Sequence, residues 1–508
     1  MPAGVKLHLT FGRDERFPPH LLHQRARGEN RPSSFLLPDV RSVRRFRVHV
    51  HTSHSEEVSL MHVRRFHSSV FGPSLRPQSA TLAILFTRLF FLLGLLFIML
   101  TAQPAQAQTF TVLYTFSGGS DGASPLAGLT IDAAGNFYGT TFGTEDNGGC
   151  DQGLCGTVFK LWKTSIGWRH KTLYNFGGTP DGANPWGTVA IARNGTLYGT
   201  TYDGGILGGC FEGFAFGCGT VYQLIPPPAI PGIALTPWNE TLIFSFTGGS
   251  DGGRPEGDLT FDDAGNLYGT TTEGGSCSLG RCGVVYELVP SGQGATESVL
   301  YVFQANGDGS YPVGGVVFDK AGNLYGVTNY GDQSKYLHGT VYELSLSGSG
   351  WTQRVLYGFT GGNDGDNPWG GLMISPSGSL YGTTSSSGAG GGGTVFGLTS
   401  FNGSWKFNII HSFSEFEGKQ PWDKLAMDAA GNLYGTTRYG GAYGNGTVFK
   451  LTRSKAGWTY TSLHDFTGGS DGNYPYGSPV LDKNGNIYGT TSAGGANGYG
   501  VVFQITPQ

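Results

Sequence analysis

Acidic residues followed by glycine recur along the chain at a spacing that could bring carboxylates together. Seven of them lie between a Phe and a Pro: Asp121, Asp181, Asp251, Asp308, Asp364, Glu417 and Asp471. Because Ca²⁺ prefers oxygen ligands, a ring of such carboxylates predicts a cation site. Asp also commonly caps the backbone amides of its own turn, so a structural role is the alternative. Repetition in every copy favours that alternative, since a single active site needs asymmetry.

Four aromatic residues directly follow the Pro of this segment, and flat rings beside carboxylates suit the stacking of a sugar ring. They are Trp186, Trp369, Trp422 and Tyr476. Hydrophobic packing between neighbouring units is the alternative. The sequence therefore predicts, as a hypothesis, a ligand site made of these four aromatic residues and the seven carboxylates.

Two glycine-rich motifs match catalytic or phosphate-binding signatures but lack the required context. Residues 118–122, with copies at 248–252 and 468–472, fit G-x-S-x-G, in which a helix must follow the Ser. Residues 388–393 fit G-x-G-x-x-G, which needs a helix N-terminus for phosphate. Strand patterns follow instead, so loops are predicted and no catalytic residue is assigned. Beyond residue 107, His170, His338, His411 and His464 show no metal-ligand pattern, and three fall on outer strands at non-equivalent positions.

Three sequence markers recur seven times each, which indicates a repeat architecture. The first is Tyr-Gly-Thr-Thr or a close variant, beginning at Tyr138, Tyr198, Tyr268, Tyr325, Tyr381, Tyr434 and Tyr488. The second is Gly-Thr/Val-Val-Phe/Tyr, ending at Phe159, Tyr222, Tyr286, Tyr342, Phe396, Phe449 and Phe503. The third is the Phe–acidic–Gly–Pro segment. Together they divide the chain into seven units of similar length.

Each unit contains four short runs of β-favouring residues separated by turn residues. In the second unit these runs are 188–192, 197–201, 220–225 and 238–246. Glycine makes up 87 of 508 residues, aromatic residues 13% and charged residues 13%. This composition fits an all-β chain with many turns and excludes a wholly disordered one. Four strands repeated seven times predict a seven-bladed β-propeller with four-stranded blades.

The two ends of the repeat region complement each other. Residues 110–116 read as a fourth-type strand before the first complete unit, and residues 501–506 read as a third-type strand at the end. The N-terminal strand can therefore close the last blade and remove the exposed edge of a linear array. An open β-solenoid is the alternative, but it does not explain this complementarity.

With these motifs laid out, the chain resembles the GloVer tandem-repeat family of exported bacterial proteins over about residues 109–506. The resemblance rests on Tyr138-Gly139-Thr140-Thr141, on residues 132–136 (DAAGN), on residues 156–159 (GTVF) and on their further copies. It implies export and a β-propeller-like fold, and it adds no catalytic residue. Members of that family often carry a C-terminal surface anchor, which implies the cell surface, but no such segment follows the last predicted strand.

The first 107 residues differ from the rest in charge. They carry 14 Lys+Arg and 6 Asp+Glu, whereas residues 108–508 carry 18 and 30, a net charge of −12. The apolar run 89–100 precedes Ala105-Gln106-Ala107, which predicts a secretory signal peptide over 61–107. Residues 1–60 are predicted to be a misassigned start or a disordered extension. A retained anchor is the alternative, but twelve helical residues span only about 18 Å of roughly 30 Å of hydrocarbon.

The six cysteines fall in three close pairs between the second and third runs of the first three units. The pairs are Cys150/Cys155, Cys210/Cys218 and Cys277/Cys282. An even number in an oxidising compartment predicts three disulfides. A zinc site is the alternative, but the pairs lie on different units.

Together these features predict an exported, monomeric propeller over residues 108–508, periplasmic or extracellular. Its predicted role is non-catalytic binding of an extracellular glycan or protein, with no cofactor other than possible Ca²⁺. The acidic body argues against nucleic acid, because phosphates need cations. No membrane contact is expected after signal cleavage. The alternative is a propeller enzyme, a hydrolase or lyase acting on a glycan or lactone.

Overall fold

The computed structural model describes residues 108–143, 155–207, 210, 217–228, 237–277, 282–292, 294–331, 338–348 and 350–507. These residues form strands and turns, and no helix occurs among them. Within the same residues, nothing has the helical length and hydropathy needed to cross a bilayer. The predicted extension (1–60) and signal peptide (61–107) lie outside the described residues and stay predictions.

The first half of the chain builds three blades after one leading strand. The chain enters through β1 (Thr109–Thr115), and blade one follows with β2 (Thr130–Ile131), β3 (Phe137–Thr141), β4 (Thr157–Thr164) and β5 (Gly167–Asn175). Blade two contains β6 (Gly182–Ala183), β7 (Ala190–Ile191), β8 (Leu197–Thr201), β9 (Asp203–Gly204), β10 (Thr220–Ile225) and β11 (Asn239–Ser245). Blade three contains β12 (Thr260–Phe261), β13 (Leu267–Thr271), β14 (Val284–Ser291) and β15 (Gly294–Val302).

The second half builds four more blades. Blade four contains β16 (Ser310–Phe318), β17 (Leu324–Tyr330), β18 (Thr340–Ser347) and β19 (Gly350–Gly358). Blade five contains β20 (Met373–Ile374), β21 (Leu380–Thr384), β22 (Thr394–Phe401) and β23 (Ser404–Ser412). Blade six contains β24 (Ala426–Met427), β25 (Leu433–Thr437), β26 (Thr447–Ser454) and β27 (Gly457–Asp465). Blade seven contains β28 (Val480–Leu481), β29 (Ile487–Thr491) and β30 (Val501–Thr506).

Every blade is a four-stranded antiparallel sheet, and the short β6–β9 pair extends blade two. The last blade has the order β1-β30-β29-β28, so the first strand of the chain pairs with the last. Their register runs from Thr109 opposite Thr506 to Thr115 opposite Val501. The predicted seven-bladed propeller, closed by its N-terminal strand, is therefore confirmed.

The Tyr-Gly-Thr-Thr marker lies in the second strand of each blade, and its residue types fit the contacts that this strand makes with the third strand. In blade two, Gly199 lies opposite Tyr222, and a Cβ on Gly199 would stand 2.2 Å from the Tyr222 hydroxyl. Glycine is thus the residue that leaves room for the buried ring. At the end of the strand, the buried hydroxyls of Thr201 and Thr220 are hydrogen-bonded at 2.7 Å. The repeat therefore encodes the packing of the second strand against the third.

Two of the three predicted disulfides are present among the described residues. Cys210 is bonded to Cys218, and Cys277 is bonded to Cys282. Cys155 is also disulfide-bonded, whereas Cys150 lies outside the described residues. Disulfides persist in oxidising compartments and are rare in the cytosol, so these bonds indicate a non-cytoplasmic protein.

Candidate functional site

A narrow cavity, partly continuous with solvent, lies where the inner segments of the blades meet. All seven blades contribute to its lining, through Leu126, Trp186, Glu256, Gly314, Trp369, Trp422 and Tyr476 among others. We call it the channel cavity. Concave sites built from many elements are where proteins usually hold small ligands.

The structure brings the four predicted aromatic residues together at the channel cavity. The rings of Trp369 and Trp422 stack with centroids 5.1 Å apart, and Tyr476 packs edge-on against Trp422 at 5.2 Å. Trp186 lies in the same cavity and packs against Phe142 of blade one at 5.2 Å. The rings therefore pack between blades, as the packing alternative expects, and also line the cavity, whereas their role in ligand binding stays a prediction.

The residue after each of these positions brings neighbouring blades into backbone contact. It is Ala127, Gly187, Gly257, Gly314, Gly370, Asp423 or Gly477 in blades one to seven. A Cβ on Gly257 would stand 2.2 Å from the backbone nitrogen of Gly315, and one on Gly370 would stand 2.4 Å from the carbonyl carbon of Asp423. A Cβ would therefore be too close to the next blade at Gly257 and Gly370, whereas blade one carries Ala127 and blade six carries Asp423, the one carboxylate at this position.

Asp423 is held between two blades by hydrogen bonds. Its Oδ1 accepts from the backbone nitrogen of Lys424 at 2.6 Å and from the Ser478 hydroxyl at 2.7 Å. Burial, and then repulsion from Asp258, raise the pKa of Asp423 to about 7. Asp258 also lines the channel cavity and accepts a hydrogen bond from the Thr188 backbone nitrogen at 2.8 Å.

Glu256 occupies the position that holds Trp or Tyr in four other blades. Its side chain is 7% exposed, and its Oε1 accepts a hydrogen bond from the Tyr311 hydroxyl at 3.1 Å. Its Oε2 has no hydrogen-bond partner among the described residues. Burial raises the pKa of Glu256 to about 7. The channel cavity therefore contains a buried carboxyl group with an unused oxygen.

The seven predicted loop carboxylates are each bound inside their own loops. Asp364 is representative, because it accepts from the Thr360 backbone nitrogen at 2.9 Å and from the Tyr357 hydroxyl at 2.9 Å. Burial opposes ionisation there, but these hydrogen bonds outweigh it and lower the pKa of Asp364. Hydrogen bonds from the same loop or the preceding strand also reach Asp121, Asp181, Asp251, Asp308, Glu417 and Asp471.

Nothing in the described part of the chain gathers three or more His, Cys, Asp or Glu side chains into a cluster that could hold a metal ion. The loop carboxylates therefore act as caps in the geometry shown. Binding of Ca²⁺ by the ring of loop carboxylates stays a prediction. It is tested by comparing the melting temperature of the protein in Ca²⁺ with that in chelator, because a bound cation raises it.

Six of the seven loop carboxylates contact a Tyr or His side chain on the preceding outer strand, which the sequence interpretation missed. Hydroxyls of Tyr114, Tyr174, Tyr301 and Tyr357 donate to the Asp seven residues later. His464 contacts Asp471 at 3.0 Å, and His411 lies 3.7 Å from Glu417. His411 and His464 share one register position with Tyr357, opposite Val395 and Val448. The interpretation that the outer-strand histidines are all non-equivalent was therefore wrong.

Sequence reasoning missed the carboxylates of the channel cavity itself. Glu256, Asp258 and Asp423 lie at or beside the residue after the repeated Pro, where most units carry aromatic or small residues. A position-by-position comparison of the seven units would have marked them as departures from the repeat. The G-x-S-x-G and G-x-G-x-x-G segments lie in loops between strands, as predicted.

The chain was compared with known families and proteins. The model of the Gloeobacter/Verrucomicrobia repeat matches residues 93–280, 206–362 and 332–508. A search of curated proteins found no match.

Solved structures with a similar fold share little sequence with this chain. A putative 6-phosphogluconolactonase from Bacteroides uniformis has 16% identity and a TM-score of 0.41, covering 66% of this chain and 83% of its own. A protein of unknown function from Dyadobacter fermentans has 12% identity and a TM-score of 0.41, covering 80% and 100%. A putative oxidoreductase (glucose dehydrogenase) from Thermus thermophilus has 14% identity and a TM-score of 0.35, covering 79% and 100%. Similarity at this level carries no argument about activity.

Proposed function

This chain belongs to the Gloeobacter/Verrucomicrobia repeat family, and from that premise we propose that it is an exported, non-catalytic binding propeller whose channel cavity takes a glycan. The observation that carries the proposal is the Oε2 of Glu256, which has no hydrogen-bond partner among the described residues and lies in a cavity lined by Trp369 and Trp422. Buried polar atoms are nearly always hydrogen-bonded, so an unpaired carboxyl oxygen in an accessible cavity suits a ligand donor.

A saccharide matches both the polar and the aromatic groups of the channel cavity. Its hydroxyl groups can donate to Glu256, and its apolar C–H face can lie against an indole ring. Two further polar atoms at the inner segment of blade six, Gln420 Oε1 and Trp422 Nε1, are buried without a partner among the described residues. Together they offer one donor and two acceptors beside an aromatic surface.

The proposal also includes export of the protein from the cytoplasm. The predicted signal peptide (61–107) and the two disulfides, Cys210–Cys218 and Cys277–Cys282, support a periplasmic or extracellular location. A protein ligand remains the second class of partner that such a propeller could bind, and the protein is expected to act as a monomer.

A glycan array probed with the purified, exported protein tests the proposal. We expect binding to at least one glycan class, and we expect Trp369→Ala to lower that affinity at least tenfold by removing the stacking surface. Trp458→Ala is the matched control, because Trp458 lies on the outer strand β27 and packs against Tyr381. An array without any bound glycan, from protein whose melting transition is intact, would contradict the proposal.

The second candidate function is a hydrolase or lyase acting on a glycan or lactone. It is favoured by two carboxyl groups, Glu256 and Asp423, that line one cavity and have pKa values of about 7. Such groups can donate and accept protons near neutral pH. Mass spectrometry of glycans and lactones incubated with the protein, with Glu256→Gln and Asp423→Asn as controls, tests it. A product formed equally by both variants would exclude these residues as the acid and base.

A further inference from the structure

Arg438 packs against two aromatic residues of the channel cavity. It directly follows β25, and its guanidinium carbon lies 4.3 Å from the ring centroid of Tyr476, 4.8 Å from that of Trp422 and 4.7 Å from that of Tyr439. Trp422 and Tyr476 line the channel cavity. The cation is therefore attached to the same aromatic surface that the proposed saccharide would contact.

This position carries a charge in blade six alone. The residue after the Tyr-Gly-Thr-Thr marker is Phe142, Tyr202, Thr272, Asn329, Ser385 or Ser492 in the other blades. The fold thus does not need a cation here, since six uncharged residues occupy the same place. Arg438 is one of the departures from the repeat that converge on the channel cavity, together with Glu256 and Asp423.

Arg438 also differs from Arg254, which precedes the repeated Pro of blade three, in whether an acidic residue pairs with it. Arg254 forms an ion pair with Glu273 at 3.3 Å, and Asp203 lies 4.0 Å from it. Arg438 makes no ion pair within the described part of the chain, and its Nε is buried without a hydrogen-bond partner there. A guanidinium group without an ion-pair partner in the described part of the chain keeps its positive charge available for an anion.

We propose that the channel cavity binds an anionic saccharide, whose carboxylate or sulfate group is bound by Arg438 while its ring contacts Trp422 and Tyr476. This inference rests on the proposed function and names its ligand class. Arginine matches planar carboxylates by two parallel hydrogen bonds, and it binds sulfate oxygens with the same donors. The aromatic rings beneath Arg438 hold the guanidinium in place and so reduce the entropy lost on binding.

Glu256 and Asp423, two carboxyl groups of the channel cavity, do not oppose this assignment below about pH 7. Burial raises the pKa values of Glu256 and Asp423 to about 7, so these groups retain their protons over much of that range. An anionic ligand therefore meets fewer negative charges than the sequence suggests. Asp258 is the remaining carboxylate of the lining.

Calorimetry with matched oligosaccharides at pH 6 tests the inference on the exported protein. The probes are tetragalacturonate, its carboxyl-reduced neutral counterpart and a sulfated tetrasaccharide. We expect at least one anionic probe to bind at least tenfold more tightly than the neutral one. Arg438→Gln should abolish that preference, and Arg438→Lys should retain part of it. Arg453→Gln is the control, because Arg453 stacks on Trp458 at 5.8 Å on the outer hairpin.

The outcomes separate this inference from the proposed function. A neutral probe that binds as tightly as both anionic probes overturns the anionic preference and leaves glycan binding intact. An anionic preference that survives in Arg438→Gln overturns the role of Arg438. If the folded protein binds none of the probes and no glycan on the array, both proposals fail. The two anionic probes distinguish a carboxylate ligand from a sulfated one.

Discussion

Glu256, Asp423 and Arg438 each stand at a position where most other blades carry residues of a different kind. Positions that carry the same kind of residue in all seven blades stabilise the blade structure. Asp364 is an example, because it accepts a hydrogen bond from the Tyr357 hydroxyl. A single ligand in a pseudo-symmetric channel is bound asymmetrically, so its contacts should lie where the repeat is broken. In this chain Glu256 and Asp423 line the channel cavity and Arg438 packs against its aromatic residues, and the Oε2 of Glu256 and the Nε of Arg438 have no hydrogen-bond partner among the described residues.

Glu297 allows a pH prediction that is independent of any ligand. It lies on β15, its Oε1 is buried without a partner among the described residues, and burial followed by repulsion from Asp251 raises its pKa from 4.5 to about 7. As the pH rises, the unfolded chain releases this proton at a lower pH than the folded protein does. The free energy of unfolding therefore falls between about pH 4.5 and 7 and stays reduced above pH 7. Glu297→Gln removes this loss, so we expect its melting temperature to exceed wild type by on the order of 1–2 °C at pH 8.

At pH 4 the same variant should melt at nearly the wild-type temperature, because both states are then protonated. Glu287→Gln on β14 is the control, since the Glu287 carboxylate accepts a hydrogen bond from the Tyr268 hydroxyl at 2.7 Å. Differential scanning calorimetry from pH 4 to 8 measures both variants. A difference between wild type and Glu297→Gln that does not change with pH would contradict the assignment.

The loops that follow the outer strands depend on an aromatic hydroxyl at the strand end. In the loop between blades four and five, Asp364 accepts hydrogen bonds from the Tyr357 hydroxyl and from the Thr360 backbone nitrogen. We expect Tyr357→Phe to lower the free energy of unfolding by about 0.5–1.5 kcal/mol, the usual value of one hydrogen bond. Phe244 occupies the equivalent register position in blade two, so the fold accepts Phe there.

Urea denaturation measures the effect of Tyr357→Phe, and glycan binding should not change. Tyr330→Phe is the matched control, since Tyr330 ends β17 and is 49% exposed. A loss of ligand binding in Tyr357→Phe would instead connect the loop carboxylates to the ligand, as the sequence-based hypothesis of a carboxylate ring requires.

The whole propeller is closed by β1, which comes from the opposite end of the chain. Phe116 directly follows β1, is fully buried and packs against Phe159 of blade one at 5.3 Å. Phe110 within β1 packs against Phe503 of blade seven at 5.5 Å. The strand therefore joins the first blade to the last through side chains as well as through its pairing with β30.

Deleting residues 108–116 should prevent the ring from closing. Each large buried aromatic contributes about 3–5 kcal/mol, and whole domains are stable by only about 5–15 kcal/mol. The deletion also exposes β30 as an unpaired edge, which favours aggregation. Size-exclusion chromatography and circular dichroism should therefore show an aggregated or unfolded product.

Phe110→Ala is the graded variant for the same contact. It should fold and should show a lower urea midpoint than wild type, because it removes one ring and keeps the strand. A deletion variant that is monomeric and has the wild-type midpoint would show that the ring does not depend on β1.

The strand pattern was predictable because it is local. Residues 197–201, 220–225 and 501–506 are strands with the predicted bounds, since runs of β-favouring residues bounded by glycine and other turn residues are visible in the sequence. The inner strand is shorter than predicted, Ala190–Ile191 instead of 188–192. There Gly187 contacts the neighbouring blade, and a Cβ on it would stand 2.8 Å from the Gly257 carbonyl oxygen. Because that contact joins two blades, the local β-propensity of the sequence does not predict it.

The sequence by itself determined the seven units, their four strands, the ring closure and the pairing of Cys210 with Cys218, because each follows from a repeated or short-range pattern. Only the tertiary structure decided which side chains face one another across the channel. Glu256 and Arg438 belong to different blades, and their burial, their partners and their unpaired atoms arise only when the ring closes. The candidate site is therefore a property of the closed ring, whereas the blades are properties of the repeat.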